Sequence, residues 1–308
     1  MKNLVYRILK WLGFLLLSAS LVFVAVYIHL ASTVGQRAAD RVFFMQENKR
    51  PLVIAHRGGA GLYPENTLYA FEQSWKSGVD VLELDVRETA DGALVVMHDK
   101  KVDRTTDGSG QISEMPLGAV KKLNAGFRFS LDGGQTFPLR DRKIGVPTLA
   151  EVFAALPEAR FNIEPKNESP TIVKSLCGLI KEYKMTDKTV VGSFSQTNLD
   201  NFRCECAEVT TSASPSEVSK FLALYKTGLG ESYSPVMSAL QTPEYVGGLH
   251  IVSKEFVATA RKLNLQIHVW TINETADMSR LLETGVDGIM TDYPDRLLNL
   301  LGQAKKSN

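Results

Sequence analysis

Residues 79–86 read VDVLELDV. Aliphatic and acidic residues alternate over a short run. Successive side chains of a strand point to opposite faces, so Glu83 and Asp85 share one face and Leu82 and Leu84 the other. The apolar face suits packing against helices. The acidic face, near the C-terminal end, suits a site.

Seven further runs have strand character: LVIAH (52–56), FNIEPK (161–166), TVVGSF (189–194), EVTTS (208–212), GGLHIV (247–252), QIHVWTI (266–272) and DGIMTD (287–292). Helical patterns lie between most of them, at 67–76, 149–156, 171–184, 196–206, 217–226, 254–263 and 276–283, with a last one after Pro294. Eight strands each followed by a helix predict an α/β chain folded as a (β/α)₈ TIM barrel. A doubly wound sheet is the alternative, but it usually has fewer strands and a glycine-rich phosphate loop after the first. One interval breaks the alternation. Residues 86–147 contain a hairpin pattern, VRETADGALVVMHD (86–99), and then a polar stretch with DGSG and LDGG. This reads as a small insertion after strand two.

The N-terminus differs in kind. After Lys2, Arg7 and Lys10, no Lys, Arg, Asp or Glu occurs from Trp11 to Gln36. About 20 apolar residues span a bilayer as a helix. No convincing cleavage site follows Leu30, so the segment reads as an uncleaved single-pass anchor. A buried core helix is the alternative. Arg37, Arg41, Lys49 and Arg50 follow the segment, so basic residues flank both ends and the positive-inside rule hardly discriminates. The expectation is a signal anchor with the catalytic body extracytoplasmic. The expected divisions are a tail and anchor at 1–36, a linker at 37–50, the barrel at 51–301 and a tail at 302–308.

The composition is globular, with 44% hydrophobic and 22% charged residues. A net charge of +1 argues against a nucleic-acid partner. Cys177, Cys204 and Cys206 are too few for a disulfide framework and read as ordinary residues, the last two on one helix.

Active sites of such barrels lie at the C-terminal strand ends. His56 and Arg57 end strand one, Glu83 and Asp85 strand two, Glu164 and Lys166 strand three, Trp270 and Asn273 strand seven, and Asp292 strand eight. A hairpin closing at Asp91-Gly92 brings His98 roughly opposite Asp85. Carboxylates gathered in one mouth repel unless something positive sits between them, and oxygen-only ligation suits Ca²⁺ or Mg²⁺ rather than zinc. His250 and His268 read as structural, and His29 lies in the membrane segment.

The spacing HRG-x₅-PENT from His56, followed by ELDV-x-x-T-x-DG-x-x-V-x-x-HD from Glu83, resembles the glycerophosphodiester phosphodiesterase family. VPTLAEVF (146–153), NIEPK (162–166), VWTIN (269–273) and GVDGIMTDYP (285–294) extend the resemblance over about 51–301. It implies His56 and His98 as general acid/base residues, and Glu83, Asp85 and Glu164 as ligands of a divalent metal, Ca²⁺ or Mg²⁺. It implies Arg57 and Lys166 on the phosphate and Trp270 in the substrate wall. The glycerol 2-hydroxyl would attack phosphorus, and water would then open a cyclic phosphate. His56 is expected to serve the attacking hydroxyl and His98 the leaving group. Gly58, Gly59 and Gly61 are expected to admit the phosphate. Asn66 is expected to cap the next helix, and Glu65 and Asn66 are candidate supports of the site. Pro165 stands where the family has an aliphatic residue, so the strand is expected to end early beside Lys166.

The expected function is metal-dependent hydrolysis of glycerophosphodiesters to glycerol 3-phosphate and an alcohol, tethered to a membrane. A lysophospholipase D acting on membrane lysophospholipids and a non-catalytic lipid-binding protein are the alternatives.

Overall fold

The computed structural model describes residues 2–45, 50–166 and 169–302. Lys49 and residues 303–308 of the expected tail lie outside them. In chain order the elements are α1 (Lys2–Ser32), β1 (Leu52–Ala55), α2 (Leu68–Ser77), β2 (Val81–Glu88), β3 (Leu94–Val96), α3 (Leu117–Val120), α4 (Leu149–Ala155), β4 (Phe161–Pro165), α5 (Pro170–Glu182), β5 (Thr189–Val191), α6 (Gln196–Glu205), β6 (Thr210–Thr211), α7 (Pro215–Lys226), β7 (Ala239–Thr242), β8 (Tyr245–Val246), β9 (Leu249–His250), α8 (Lys254–Lys262), β10 (Gln266–Val269), α9 (Thr275–Thr284), β11 (Gly288–Thr291) and α10 (Pro294–Leu300).

Eight parallel strands form a barrel in the order β6-β5-β4-β2-β1-β11-β10-β7. A single parallel bridge between Ser212 and Ala239 joins its two ends. Strand parity sorts the side chains. Val53, Ala55, Leu82, Leu84, Ile163, Leu240, Ile267 and Ile289 pack outward against the helices. Leu52, Ile54, Val81, Val190 and Met290 fill the interior with Phe43. His56, two residues beyond Ile54, therefore continues the inward face.

The insertion contains β3 and α3 and buries its own small core of Val95, Met97, Val102, Ile112, Val120, Ala125 and Val146. β3 pairs with β2 antiparallel, with Val86 opposite Val96. Met97 N donates to Asp85 O at 2.9 Å, so Met97 stands opposite Asp85 and His98 follows one residue on.

Three expectations need correction. GGLHIV is not a barrel strand. Gly247 and Gly248 have φ of 56° and 80°, the left-handed geometry of a two-residue hairpin turn, and they join the exposed strands β8 and β9. The barrel strand is ALQT (β7), whose small and polar residues give weak β propensity. Second, the cysteines are not all ordinary. Cys177 of α5 bonds Cys206, just past α6, leaving Cys204 free. Third, residues 37–44 are no free linker. Val42–Phe44 form a 3₁₀ turn, Phe43 is 2% exposed, and its carbonyl accepts Arg160 Nη1 at 2.8 Å.

Helix α1 is long and apolar enough to cross a membrane, and its most apolar window is 0% buried. That exposure does not describe a core helix of the barrel.

Candidate active site

β1 ends in a turn that turns sharply. Arg57 sits at φ 49° and Gly58 at φ 81°, the left-handed region that favours glycine. A Cβ on Gly58 would press on the Phe71 ring at 2.8 Å, and one on Gly61 on the Tyr293 ring at 2.5 Å. The space these glycines spare is filled by the Phe71 and Tyr293 rings. The turn aims Arg57 N at Glu83 Oε2, 2.6 Å away. Asn66 is not the helix cap either. Thr67 caps α2, its Oγ1 accepting Ala70 N at 3.1 Å. Asn66 instead donates Nδ2 to Asp85 Oδ2 at 2.8 Å and accepts Asp85 N at 3.2 Å, fixing that carboxylate.

The two histidines are each oriented through Nδ1. His56 Nδ1 lies 2.7 Å from Asp292 Oδ1, and Asn273 Nδ2 donates to the other Asp292 oxygen at 2.8 Å. His98 Nδ1 lies 2.7 Å from Asp99 Oδ1. In both rings this leaves Nε2 as the nitrogen for a substrate. Their basicities diverge. Burial would lower His56, but the bond to Asp292 and the charges of Glu83 and Asp292 outweigh it, and its pKa rises. Burial dominates at His98, whose pKa falls despite Asp99.

The carboxylates line the same cavity as the histidines. Asp85 and Glu164 are register partners on β2 and β4. Lys166 Nζ bridges them, 3.0 Å from Asp85 Oδ1 and 2.9 Å from Glu164 Oε2. β4 does stop at Pro165, yet Lys166 is well placed. Its N–H bonds Val86 O at 3.0 Å. The missing proline N–H faces the β5 side, where the ladder has already ended at Ile163 and Val191. Arg57 spends Nη1 on Glu65 Oε1 at 3.0 Å, while its Nε is buried without a hydrogen-bond partner among the described residues. Burial, with Asp85 alongside, pushes the Glu83 carboxyl up to about 7.

A cavity of about 460 Å³ opens over these groups. His56, Glu83, Asp85, His98, Glu164 and Lys166 form its polar side; Phe194, Leu222, Pro243, Val246, Ile251 and Trp270 form an apolar wall. Trp270 meets Phe194 edge-on at 5.8 Å. His268 lies beneath, buried, and burial drives its pKa down to about 3. His250 is on the β8–β9 hairpin, 3.3 Å from Glu244.

The donor set partly suits a hard cation. Glu83, Asp85 and Glu164 offer only oxygen. Among the described residues, however, no three His, Cys, Asp or Glu side chains are arranged to hold a metal ion, and Lys166 already bridges two of the three acids. An ion there requires Lys166 to turn away.

Asp292, Asp99, Arg104 and Phe194 complete the site beyond the roles expected from the sequence. Asp292 and Asp99 had a legible signal, an acid at a strand end and an acid beside a histidine. Arg104 and Phe194 had none.

A family model described as the glycerophosphoryl diester phosphodiesterase family matches residues 56–296. A protein of Caldanaerobacter subterraneus subsp. tengcongensis named glycerophosphodiester phosphodiesterase is 37% identical over 261 residues, covering 82% of this chain and 98% of its own. Lysophospholipase D GDPD1 of Mus musculus is 29% identical over 273 residues, covering 80% and 85%. The crystal structure of glycerophosphodiester phosphodiesterase from Agrobacterium tumefaciens str. C58 aligns with a TM-score of 0.64 and 27% identity, over 81% of this chain and 99% of that one. The chain belongs to the glycerophosphoryl diester phosphodiesterase family.

Proposed function

We propose that the protein hydrolyses glycerophosphodiesters to glycerol 3-phosphate and an alcohol by general acid–base catalysis with His56 and His98. The observation that carries this reading is the pair of rings, each held through Nδ1 by its own carboxylate and facing one cavity across Asp85, Glu164 and Lys166.

The ring basicities favour a division of labour opposite to the one expected from sequence. His98, its pKa lowered by burial, takes the proton of the glycerol 2-hydroxyl as that oxygen attacks phosphorus. His56, its pKa raised beside Asp292, donates to the departing alcohol oxygen as the P–O bond breaks. A cyclic phosphate results. In the second half His56, now neutral, takes a proton from water as the water oxygen attacks phosphorus, and His98 returns its proton to the 2-oxygen as the P–O bond to it breaks. Arg57 and Lys166 offset the charge that grows on the equatorial oxygens. Trp270 and Phe194 shield the leaving group from water.

With Lys166 turned aside and the three side chains drawn together, Glu83, Asp85 and Glu164 would hold a Ca²⁺ or Mg²⁺ ion, which when bound supplies further charge stabilisation at the phosphoryl oxygens. Helix α1 would anchor the protein as a single pass. The Cys177–Cys206 disulfide supports an extracytoplasmic body, since such bonds persist in oxidising compartments. The apolar wall supports lysophospholipase D activity as a second reading, in line with the name of the mouse relative.

The test is a panel of glycerophosphocholine, glycerophosphoethanolamine and lysophospholipids, assayed after chelation and after adding back each metal. Glycerol 3-phosphate from the soluble diesters, lost on chelation and restored by Ca²⁺ or Mg²⁺, is the expected result. Full activity of a metal-free preparation would overturn the metal, and no turnover of any diester would overturn the enzyme.

A further inference from the structure

Among the described residues, the hydrogen bonds of residues 27–44 to the barrel fall at one end. Tyr27 OH donates to Thr227 O at 3.3 Å, Gly35 N to Glu231 O at 2.7 Å and Ala38 N to Leu263 O at 2.8 Å. Arg41 Nη1 donates to Glu208 O at 3.1 Å, and Phe43 O accepts from Arg160. Thr227, Glu231, Leu263, Glu208 and Arg160 all lie in connections that run from a helix to the next strand. In a (β/α)₈ barrel those connections form the base, and the strand-to-helix loops form the catalytic mouth. The strap therefore spans the base and ends in Phe43, which plugs it.

The tether between bilayer and base is short. Leu30 is the last large apolar residue of the spanning segment, and five residues later Gly35 is already bonded to Glu231. Five residues reach at most about 18 Å fully extended. Gly35 packs closely on the base, where a Cβ would overlap the Tyr233 carbonyl. The mouth lies beyond the strands. The four residues of β1 alone rise about 13 Å, and His56 stands past them.

We infer that the barrel sits base-first on its anchoring bilayer, so the active-site mouth faces away from that membrane and takes its substrate from the aqueous side, not laterally from the same lipid layer. The inference rests on the phosphodiesterase and anchor readings above. A lysophospholipid in the anchoring bilayer would have to leave it to bring its phosphorus to His56 and His98. The apolar wall with Phe194 and Val246 then receives a molecule arriving from water or from a micelle.

The full chain reconstituted in unilamellar vesicles tests this. Three substrates are compared: glycerophosphocholine in the bulk, a slowly exchanging very-long-chain lysophosphatidylcholine in the same vesicles, and the same lipid in detergent micelles. The same-bilayer rate should be at least about tenfold below the micellar rate. A flexible Gly/Ser insertion of about 20 residues between Val34 and Gly35, long enough to let the barrel turn over, should remove that deficit and leave the bulk rate within about twofold. Equal same-bilayer and micellar rates in the unmodified protein would overturn the inference. A second measurement does not depend on activity. In a C204S background, a fluorophore on D187C at the base should transfer energy to lipid-bound acceptors strongly, and one on V246C at the mouth weakly. The reverse order would overturn the orientation even if no substrate were cleaved. If the order holds and no diester is turned over, it is the phosphodiesterase reading that fails.

Discussion

Arg104 holds Glu65 with two guanidinium nitrogens, each 2.7 Å from a carboxylate oxygen, and turns its Nε to Asp99 at 2.6 Å. Glu65 in turn accepts Arg57, and Asp99 holds His98. One guanidinium thus ties the loop after β1 to the ring on the insertion. The bond from Arg104, with that from His98, pulls the Asp99 carboxyl down to about 2 against the effect of burial.

Arg104 is therefore expected to position His98. R104M should lower kcat about tenfold, the lower end for a lost supporting contact at a site. Asp99 without Arg104 becomes a stronger acceptor for His98, so the limb of the pH–rate profile that reports His98 should move up. R104K should restore part of both effects. A drop in rate with an unmoved profile would make Arg104 merely structural.

The two histidines separate by leaving group. Each should lose about 10²–10⁴-fold on alanine substitution. An activated aryl diester needs little help from a general acid. It should rescue H56A substantially and H98A little, because the His56 pKa is raised, which favours the acid role, and the His98 pKa is lowered, which favours the base role. Rescue of H98A instead would restore the division expected from the sequence.

The base strap makes a stability prediction. A form beginning at Thr33 keeps Phe43 and the bonds of Gly35 and Ala38; a form beginning at Pro51 loses them. Large-to-small losses at a buried phenylalanine cost about 3–5 kcal/mol. For a domain of this size that is roughly 6–20 °C in Tm. The longer form should melt higher by an amount in that range, measured by circular dichroism at one protein concentration. Equal melting would mean the strap adds nothing to the fold.

Much of the barrel was legible because its strands follow parity. VDVLELDV, LVIA and GIMT place aliphatic residues outward and chemistry at the end, and seven of the eight strand positions follow. The eighth was not legible. ALQT lacks β-branched residues except at its end, whereas GGLHIV has them and instead forms part of an exposed hairpin. The Cys177–Cys206 bond was equally hidden, since the two lie 29 positions apart and the packing of α5 beside α6 brings them together. At the site, the residues that end strands were legible. Arg104 was not, because nothing local to it marks a partner 39 residues away.

His268 offers a test of the interior beneath the site. It is 1% exposed, its Nδ1 lies 3.3 Å from Gln241 Nε2, and Phe44 of the strap meets its ring edge-on at 5.7 Å. Burial, with Arg160 adding a smaller push, holds its pKa near 3. In the unfolded chain a histidine titrates near 6.5. Below that value the unfolded state therefore binds a proton that the folded state refuses. Stability is fully present above pH 6.5 and is lost as pH falls towards 3, at up to about 1.4 kcal/mol per pH unit. Between pH 6.5 and 4.5 this single group should remove about 2–3 kcal/mol. H268Q keeps a polar side chain there but cannot titrate. Urea unfolding of both proteins at pH 7 and pH 4.5 should show the native protein losing more stability than H268Q by that amount, with the carboxylates common to both cancelling. Parallel losses in the two proteins would mean that His268 is protonated in the folded state, or that its burial is relieved as the base opens.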